Sequence, residues 1–527
     1  MNKLIVTITL AAAVLTPCAA VADEREALEH LRATTTNLIN LLVQEGVLSK
    51  DKADALMHEA AASAKASAEK AAAAANAQQG DVDPKVVRVQ YVPEFVKNQL
   101  RNEIKQEVMA KAQSEGWAYP GSIPEWMNRI AWEGDLRLRY EKDAYPDGNV
   151  TPFNLKLQGI DSVNNTSEDR ERWRIRARLG ASIKVNDYFS GGIRMTTGSL
   201  DDPVSPNQTL ANNNGNGSGK FSFALDRAFI KYDPNSWSSV VGGRFANPWL
   251  STDLVWDPDL AFDGLAVALK PKLSDSFKGF ATLGAFPVQE VETNGNDVLA
   301  DDKWLYGAQA GFEWTSANKS AFKLGLAYYD FTNVQGVRNT PGSTAQNKTA
   351  VQFHQKGNTL FDITDPAILL LPGTTHLYGL ASEFREVNLT GSLDIAVFNP
   401  VHVVLTGDYV KNVGFDENEV QARNPVSPVG GDTAWMAKVL VGMPETLNKN
   451  DWNVFAAYKR LETNSVLDSY SDSDFHLGGT NTQGWIAGAN YGLDKNTWLT
   501  LRWLSADAID GSTYSADVLL LDLNAKF

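Results

Sequence analysis

Arg172, Arg174, Arg176 and Arg178 stand at every second position, interleaved with Trp173, Ile175, Ala177 and Leu179 and followed by Ala181. A period of two belongs to a β-strand, whose successive side chains point to opposite faces. One face of this strand is all guanidinium and the other is aromatic and aliphatic. Packed into a soluble sandwich, it would press a dense positive row against an apolar layer, so the row must face water or carboxylates. Arg137 and Arg139 repeat the pattern earlier, alternating with Leu136, Leu138 and Tyr140. The apolar face suits lipid, whereas an Arg at the midplane of a membrane strand costs ~2–4 kcal/mol.

The same period starts after Ile123-Pro124-Glu125-Trp126 and persists to the C-terminus. Trp304, Tyr306, Ala308, Ala310, Phe312 and Trp314 oppose Leu305, Gly307, Gln309, Gly311 and Glu313, large aromatics lying at the ends and small residues between, as on a lipid-facing strand. In the last strand Leu519, Leu521, Leu523, Ala525 and Phe527 share one side, with Asp522, Asn524 and Lys526 on the other. Val518 and Leu520 blur that pattern at its start. Connections fall into two kinds, which a soluble β-protein has no reason to do. Seven short turns, such as Asp233-Pro234-Asn235-Ser236 and Asp494-Lys495-Asn496, alternate with eight long loops, such as 200–220, 246–263, 333–376 and 463–482. The alternation predicts an all-β membrane barrel over residues 124–527, with about sixteen antiparallel strands and both of its ends on one side.

Composition agrees with a cylinder that is greasy outside and wet within. The 527 residues are 43% hydrophobic, with 40 Gly and 14 Trp, and the mean hydropathy of -0.26 is too low for a helical membrane protein. A net charge of -15 argues against nucleic acid as a partner. The N-terminus reads as a secretory signal over residues 1–22: Lys3, an apolar run from Leu4 to Leu15, then Ala20-Val21-Ala22 before Asp23. The single cysteine, Cys18, lies inside it, so the mature chain would have no thiol for disulfides, metal or nucleophilic chemistry. Acylation of Cys18 as a lipoprotein is the alternative, disfavoured by Pro17, where such a signal wants a small residue.

Residues 23–123 read as a helical segment. Leu28, Leu31, Thr35, Leu38 and Leu42 step by three and four, Gly46 interrupts them, and Val96, Leu100, Ile104 and Val108 form a further stripe after Pro93. These stripes either pack on one another within one subunit or self-associate as a periplasmic coiled coil.

Several stretches carry a family resemblance: Tyr91-Val92-Pro93-Glu94, Pro124-Glu125-Trp126, the run from Gly134 to Glu141, Gly243-Arg244-Phe245-Ala246-Asn247-Pro248, the run from Asp253 to Asp257, and Asp472-Ser473-Asp474-Phe475. Through them the chain resembles the "putative porin" family of Gram-negative bacteria, from its first helix to Phe527. The terminal Phe527 also resembles the signature by which outer-membrane barrels are recognised for assembly. The resemblance implies an outer-membrane location, passive transport and a trimer, without naming a solute or any individual ligand residue.

A barrel of this size leaves an aqueous channel. The third long loop, in the position where general porins fold a loop inward, carries Asp253, Asp257, Asp259 and Asp263 together with Trp249 and Trp256. Facing it, a basic wall would hold Arg137, Arg139, Arg172, Arg174, Arg176, Arg178, Arg194 and Arg244. Carboxylates opposite guanidiniums set up a transverse field that selects ions and orients dipolar solutes; alternatively the arginines are paired one by one with lumen acids such as Asp135 and Asp226 and only stiffen the wall. The chain is therefore expected to pass small hydrophilic solutes across the lipid of the outer membrane. Two other functions remain open: a tether whose N-terminal helices contact the cell wall, and a substrate-specific channel lined by Trp249, Trp256 and Trp435. The six histidines are scattered, no nucleophile motif accompanies them, and nothing calls for a cofactor. Asp472 and Asp474 read as a solvated acidic turn.

Overall fold

The computed structural model describes residues 127–156, 163–211, 219–292, 298–425 and 430–527. The predicted signal and helical segments and residues 124–126 lie outside these. Sixteen long strands alternate up and down in chain order: β1 (Ile130–Ala144), β2 (Arg170–Lys184), β3 (Phe189–Thr196), β4 (Ala224–Asn235), β5 (Ser238–Ala246), β6 (Ala261–Leu269), β7 (Phe277–Gln289) and β8 (Lys303–Thr315). They continue as β9 (Ala321–Thr332), β10 (Phe384–Ile395), β11 (His402–Asn412), β12 (Thr433–Gly442), β13 (Trp452–Leu461), β14 (Thr482–Asp494), β15 (Thr497–Ala508) and β16 (Ser515–Lys526). Each pairs antiparallel with the next. β1 pairs with β2 on one edge and β16 on the other, from Asp135 opposite Lys526 to Ala144 opposite Asp517, so the sheet closes and no edge is left. The predicted strand count holds. At the seam the Phe527 amide donates to the Gly134 carbonyl and the Gly134 amide to that of Phe527, both at 3.0 Å.

Register fixes which face each side chain takes. In β1 and β2 the outward set includes Leu136, Leu138, Trp173 and Leu179, all exposed, while Arg139, Glu141 and Asp143 turn inward and are buried. In β8, Tyr306 and Trp314 face out and Leu305 and Gln309 face in. Among the described residues no helix is long and apolar enough to cross a membrane.

Among the described residues several long loops fold into the cylinder, where the sequence predicted one. Loop 247–260 is anchored by Gln309 of β8, whose side-chain amide accepts from the Leu250 amide (2.7 Å) and donates to the Leu250 carbonyl (2.8 Å). Gly307 of β8 makes room for it: a Cβ there would meet the Trp249 ring at 2.6 Å. Loop 462–481 and the stretch around residues 351–361 of loop 333–383 lie against it. Trp249, Trp256, Leu254, Leu467 and Phe475 form one buried cluster with Leu305, Tyr329, Phe384, Val410, Leu504, Val518 and Leu520 from the walls. These wall residues sit in the strand halves next to the long loops, so that half of the lumen is largely a packed apolar core.

Candidate functional site: a charge-lined, loop-filled lumen

On β1 and β2 the inward positions form a bank of arginines flanked by acids, because Arg137 stands opposite Arg176 and Arg139 opposite Arg174, while Asp135 stands opposite Arg178 and Glu141 opposite Arg172. Glu141 accepts from Arg172 (Nε, 2.9 Å) and Arg174 (Nη1, 3.1 Å). Asp135 accepts from Arg176 (Nε, 3.0 Å) and Arg178 (Nε, 2.6 Å). The same two arginines reach off the wall to Asp259 of loop 247–260, at 3.3 and 2.7 Å. Arg194 pairs with Asp226, and Arg244 with Asp263 at 2.7 Å. Arg137 has no carboxylate within ion-pair distance among the described residues; its guanidinium donates to the Asn207 side chain instead.

Two buried cations fasten the loops to the wall. Lys459 of β13 lies between Asp253 (2.8 Å) and Asp472 (3.0 Å), tying loops 247–260 and 462–481 to one point. Arg139, with no exposed surface, spans Asp522 of β16 (Nε, 2.7 Å) and Asp474 (Nη1, 2.8 Å), and Arg502 of β15 reaches the other oxygen of Asp474 at 2.7 Å. Burial alone would raise the Asp474 carboxyl; Arg139 and Arg502 hold it well below the usual carboxylate range. Asp257 goes the other way. Burial, and then the carboxylates of Asp472 and Asp259, push it well above that range, and it accepts the amides of Asp259 (2.7 Å) and Ser473 (3.1 Å).

The loops also clasp one another. Gln355 donates to the carbonyls of Asp468 (2.8 Å) and Ser471 (2.9 Å), and Asn358 to those of Thr463 (2.7 Å) and Val466 (2.9 Å). The Lys356 ammonium donates to the carbonyls of His476 and Gly478. Among the spaces left open are a cavity of about 490 Å³ among β3 to β8 and a smaller one of about 170 Å³ against Arg172 and Arg174. Asp202, Ser205 and Phe353 line both.

A family profile described as "Putative porin" matches residues 32–527. The chain belongs to this family. It is thus a porin, a passive outer-membrane channel, and among curated proteins none matches it. Among solved structures it is similar to OprB of Pseudomonas putida at high pH, with 13% identity and a TM-score of 0.43 over 78% of this chain and 97% of that one. It is also similar to the outer membrane channel DcaP of Acinetobacter baumannii, with 11% identity and a TM-score of 0.39 over 76% of this chain and 97% of that one. OmpF of Salmonella typhi, in a complex with daunomycin, gives 11% identity and a TM-score of 0.38 over 76% and 97%.

The porin's four predicted loop aspartates do not act as one set. Asp259 alone meets the arginine row; Asp253 turns to Lys459, Asp257 is enclosed between loops, and Asp263 is not in the loop but on β6 beside Arg244. Asp472 and Asp474 are not a solvated turn, because Lys459, Arg139 and Arg502 draw them into the lumen. Trp249 and Trp256 pack edge-on against Tyr329, inside the plug, and Trp435 faces outward, its neighbour Met436 being the inward residue. None of the three lines the 490 Å³ cavity. Lys459 and Arg502 were not among the predicted residues: Arg502, between Leu501 and Trp503, had an apolar face beside it to send it inward, whereas Lys459 is followed by Arg460, so its strand carries a charge on each face.

His476 is buried and follows Asp474 in the clasped loop, its Nε2 lying 3.2 Å from the Tyr514 carbonyl. Burial first, then the nearby Lys356 charge, push it well below its ordinary value of 6.5. The fold thus holds it neutral while the unfolded loop would take up a proton below pH 6.5. Its contribution is fully present above 6.5 and falls as the medium is acidified, by ~1.4 kcal/mol per pH unit. Asp257 and Asp468, both raised by burial, oppose it by gaining stability on acidification. The expected result is that His476→Gln flattens the acid side of the loops' stability. Protease nicking of loop 462–481 between pH 7 and 5, compared in the two proteins, measures the difference.

Proposed function

We propose that the porin is a restricted diffusion channel for small hydrophilic solutes, whose filter lies where the arginine bank of β1 and β2 meets the infolded loops. The observation that carries this reading is the double use of Arg176 and Arg178, each shared between a wall acid, Asp135, and a loop acid, Asp259. A solute passing there meets fixed charges of both signs at close range, in a lumen that loops have narrowed. Dipolar and charged molecules exchange water for these partners, whereas an apolar molecule gains nothing in return. The long loops would face outward from the cell and the short turns the periplasm, with residues 1–22 removed and residues 23–123 reaching toward the cell wall. Three copies would assemble side by side, as the resemblance implies.

Ion selectivity tests the filter. Changing Arg174 and Arg176 together to Ala removes two positive charges and leaves Glu141 and Asp135 with one arginine each. The variant should shift toward cations, read as a change in zero-current potential across a KCl gradient in planar bilayers. An unchanged potential would leave these arginines a purely mechanical part in the wall.

A further inference from the structure

The 490 Å³ cavity is lined by two cations, Arg244, which Asp263 answers, and Lys303, which no carboxylate of the described residues answers. Lys303, the first residue of β8, lines it and is only 5% exposed. Its ammonium donates to the Ala350 carbonyl at 2.8 Å and has no carboxylate within 4 Å among the described residues. An ammonium has three hydrogens to give. Directly across the strand pair stands Gln289, whose side-chain oxygen is buried without a partner and which lines the same space. The other charges there are matched: Asp226 by Arg194, Asp259 by Arg176 and Arg178, and Asp263 by Arg244. Asp202 accepts the amides of Val204 (3.0 Å) and Ser205 (2.9 Å), and Asp201 is exposed. Beside Lys303 the wall is apolar, made by Phe262, Phe286, Leu305, Val351 and Phe353.

We propose that this cavity is a binding site for a small carboxylate with an apolar body. The solute's carboxylate sits on Lys303, and a hydroxyl or amide near it can donate to Gln289. The ring or chain lies on Phe262, Phe286 and Phe353. A buried ammonium has lost its water, and a ligand anion restores the lost interaction. A bare inorganic anion would satisfy the charge while wetting the apolar wall, so a site of this make-up favours molecules with both parts. The inference rests on the reading of the chain as a solute channel and gives that channel a preferred cargo.

Equilibrium dialysis of the full-length protein, folded in detergent, against benzoate, benzamide and acetate tests the site without requiring any current. Benzoate should bind at least about tenfold more tightly than benzamide, which has the ring without the charge, and than acetate, which has the charge without the ring. Lys303→Gln should remove most of the preference over benzamide, while Lys303→Arg keeps it; a gel of unheated samples shows that both variants have folded. Equal binding of benzoate and benzamide by the native protein, or an unaltered preference in Lys303→Gln, overturns the proposal. Acetate binding as well as benzoate reduces the site to a plain anion pocket and overturns it too. KCl conductance in bilayers is measured separately: conductance without benzoate preference defeats the site alone, and benzoate binding without conductance defeats the channel reading alone.

Discussion

Lys459→Met is expected to raise the single-channel conductance several-fold. The native ammonium holds Asp253 and Asp472 together at 2.8 and 3.0 Å, with its own charge 5.4 Å from the Phe475 ring. Met fills a similar volume but leaves the largely buried Asp472 and the partly exposed Asp253 facing each other without a cation. Removing one partner from a buried pair costs ~3–5 kcal/mol, and the exposure of Asp253 to water brings this triad toward or below the low end of that range. Loops 247–260 and 462–481 can relieve that cost by swinging into water, whereas the β13 ladder that carries residue 459 has no reason to open. The strain should therefore appear as an opened lumen within an intact cylinder. Bilayer recordings check the conductance, and a heat-resistant compact band on gels checks the cylinder. The triple variant Lys459→Met, Asp253→Asn and Asp472→Asn removes the repulsion as well and should return part of the way to native conductance. A Lys459→Met channel of native conductance would mean that the loops are held by their apolar contacts alone.

Arg139→Leu should act on the cylinder itself. Its guanidinium bridges β1 to Asp522 of β16 and to Asp474 of the plug. Two buried acids lose their partner at once, although Arg502 stays within 3.9 Å of Asp522 and 2.7 Å of Asp474 and compensates in part. The expected loss is ~3 kcal/mol, the low end for a broken buried pair, seen as a lower urea midpoint for unfolding from lipid or detergent. Arg174→Leu is the useful comparison. Its contact with Glu141 is duplicated by Arg172 and its other one is a long bond to the Ser205 hydroxyl at 3.4 Å, so its midpoint should move much less.

The barrel was legible in the sequence because lipid forbids charge: wherever Arg, Asp or Lys alternates with Leu, Trp or Tyr, only one assignment of faces is possible. The plug was not, because it follows from contacts between residues far apart in the chain. One signal did exist. Val518 and Leu520 stand on the side of β16 that holds Asp522 and Asn524, and they only seemed to break its pattern. They turn inward and meet loop residues, as Leu305, Phe384 and Val410 do on their own strands. Apolar groups on the wet face, concentrated in the strand halves beside the long loops, are the mark of a lumen filled from that end. The Asp253 to Asp474 pairings carry no such mark, since the partners Lys459, Arg139 and Arg502 are distant in sequence and equally available to water.

The seam between β1 and β16 has a consequence for biogenesis. The ion pair across it joins residues 383 apart, and the backbone bonds beside it join Gly134 to Phe527, from opposite ends of the barrel sequence. Until β16 has paired with β1, the folding sheet therefore has two long strand borders whose amides and carbonyls are unsatisfied, and such borders recruit other chains. Closure cannot proceed piecemeal from the N-terminal side; it is a single late event of high contact order, and slow for that reason. A version shortened by its final strand should accumulate as aggregate or be degraded rather than persist as a smaller cylinder.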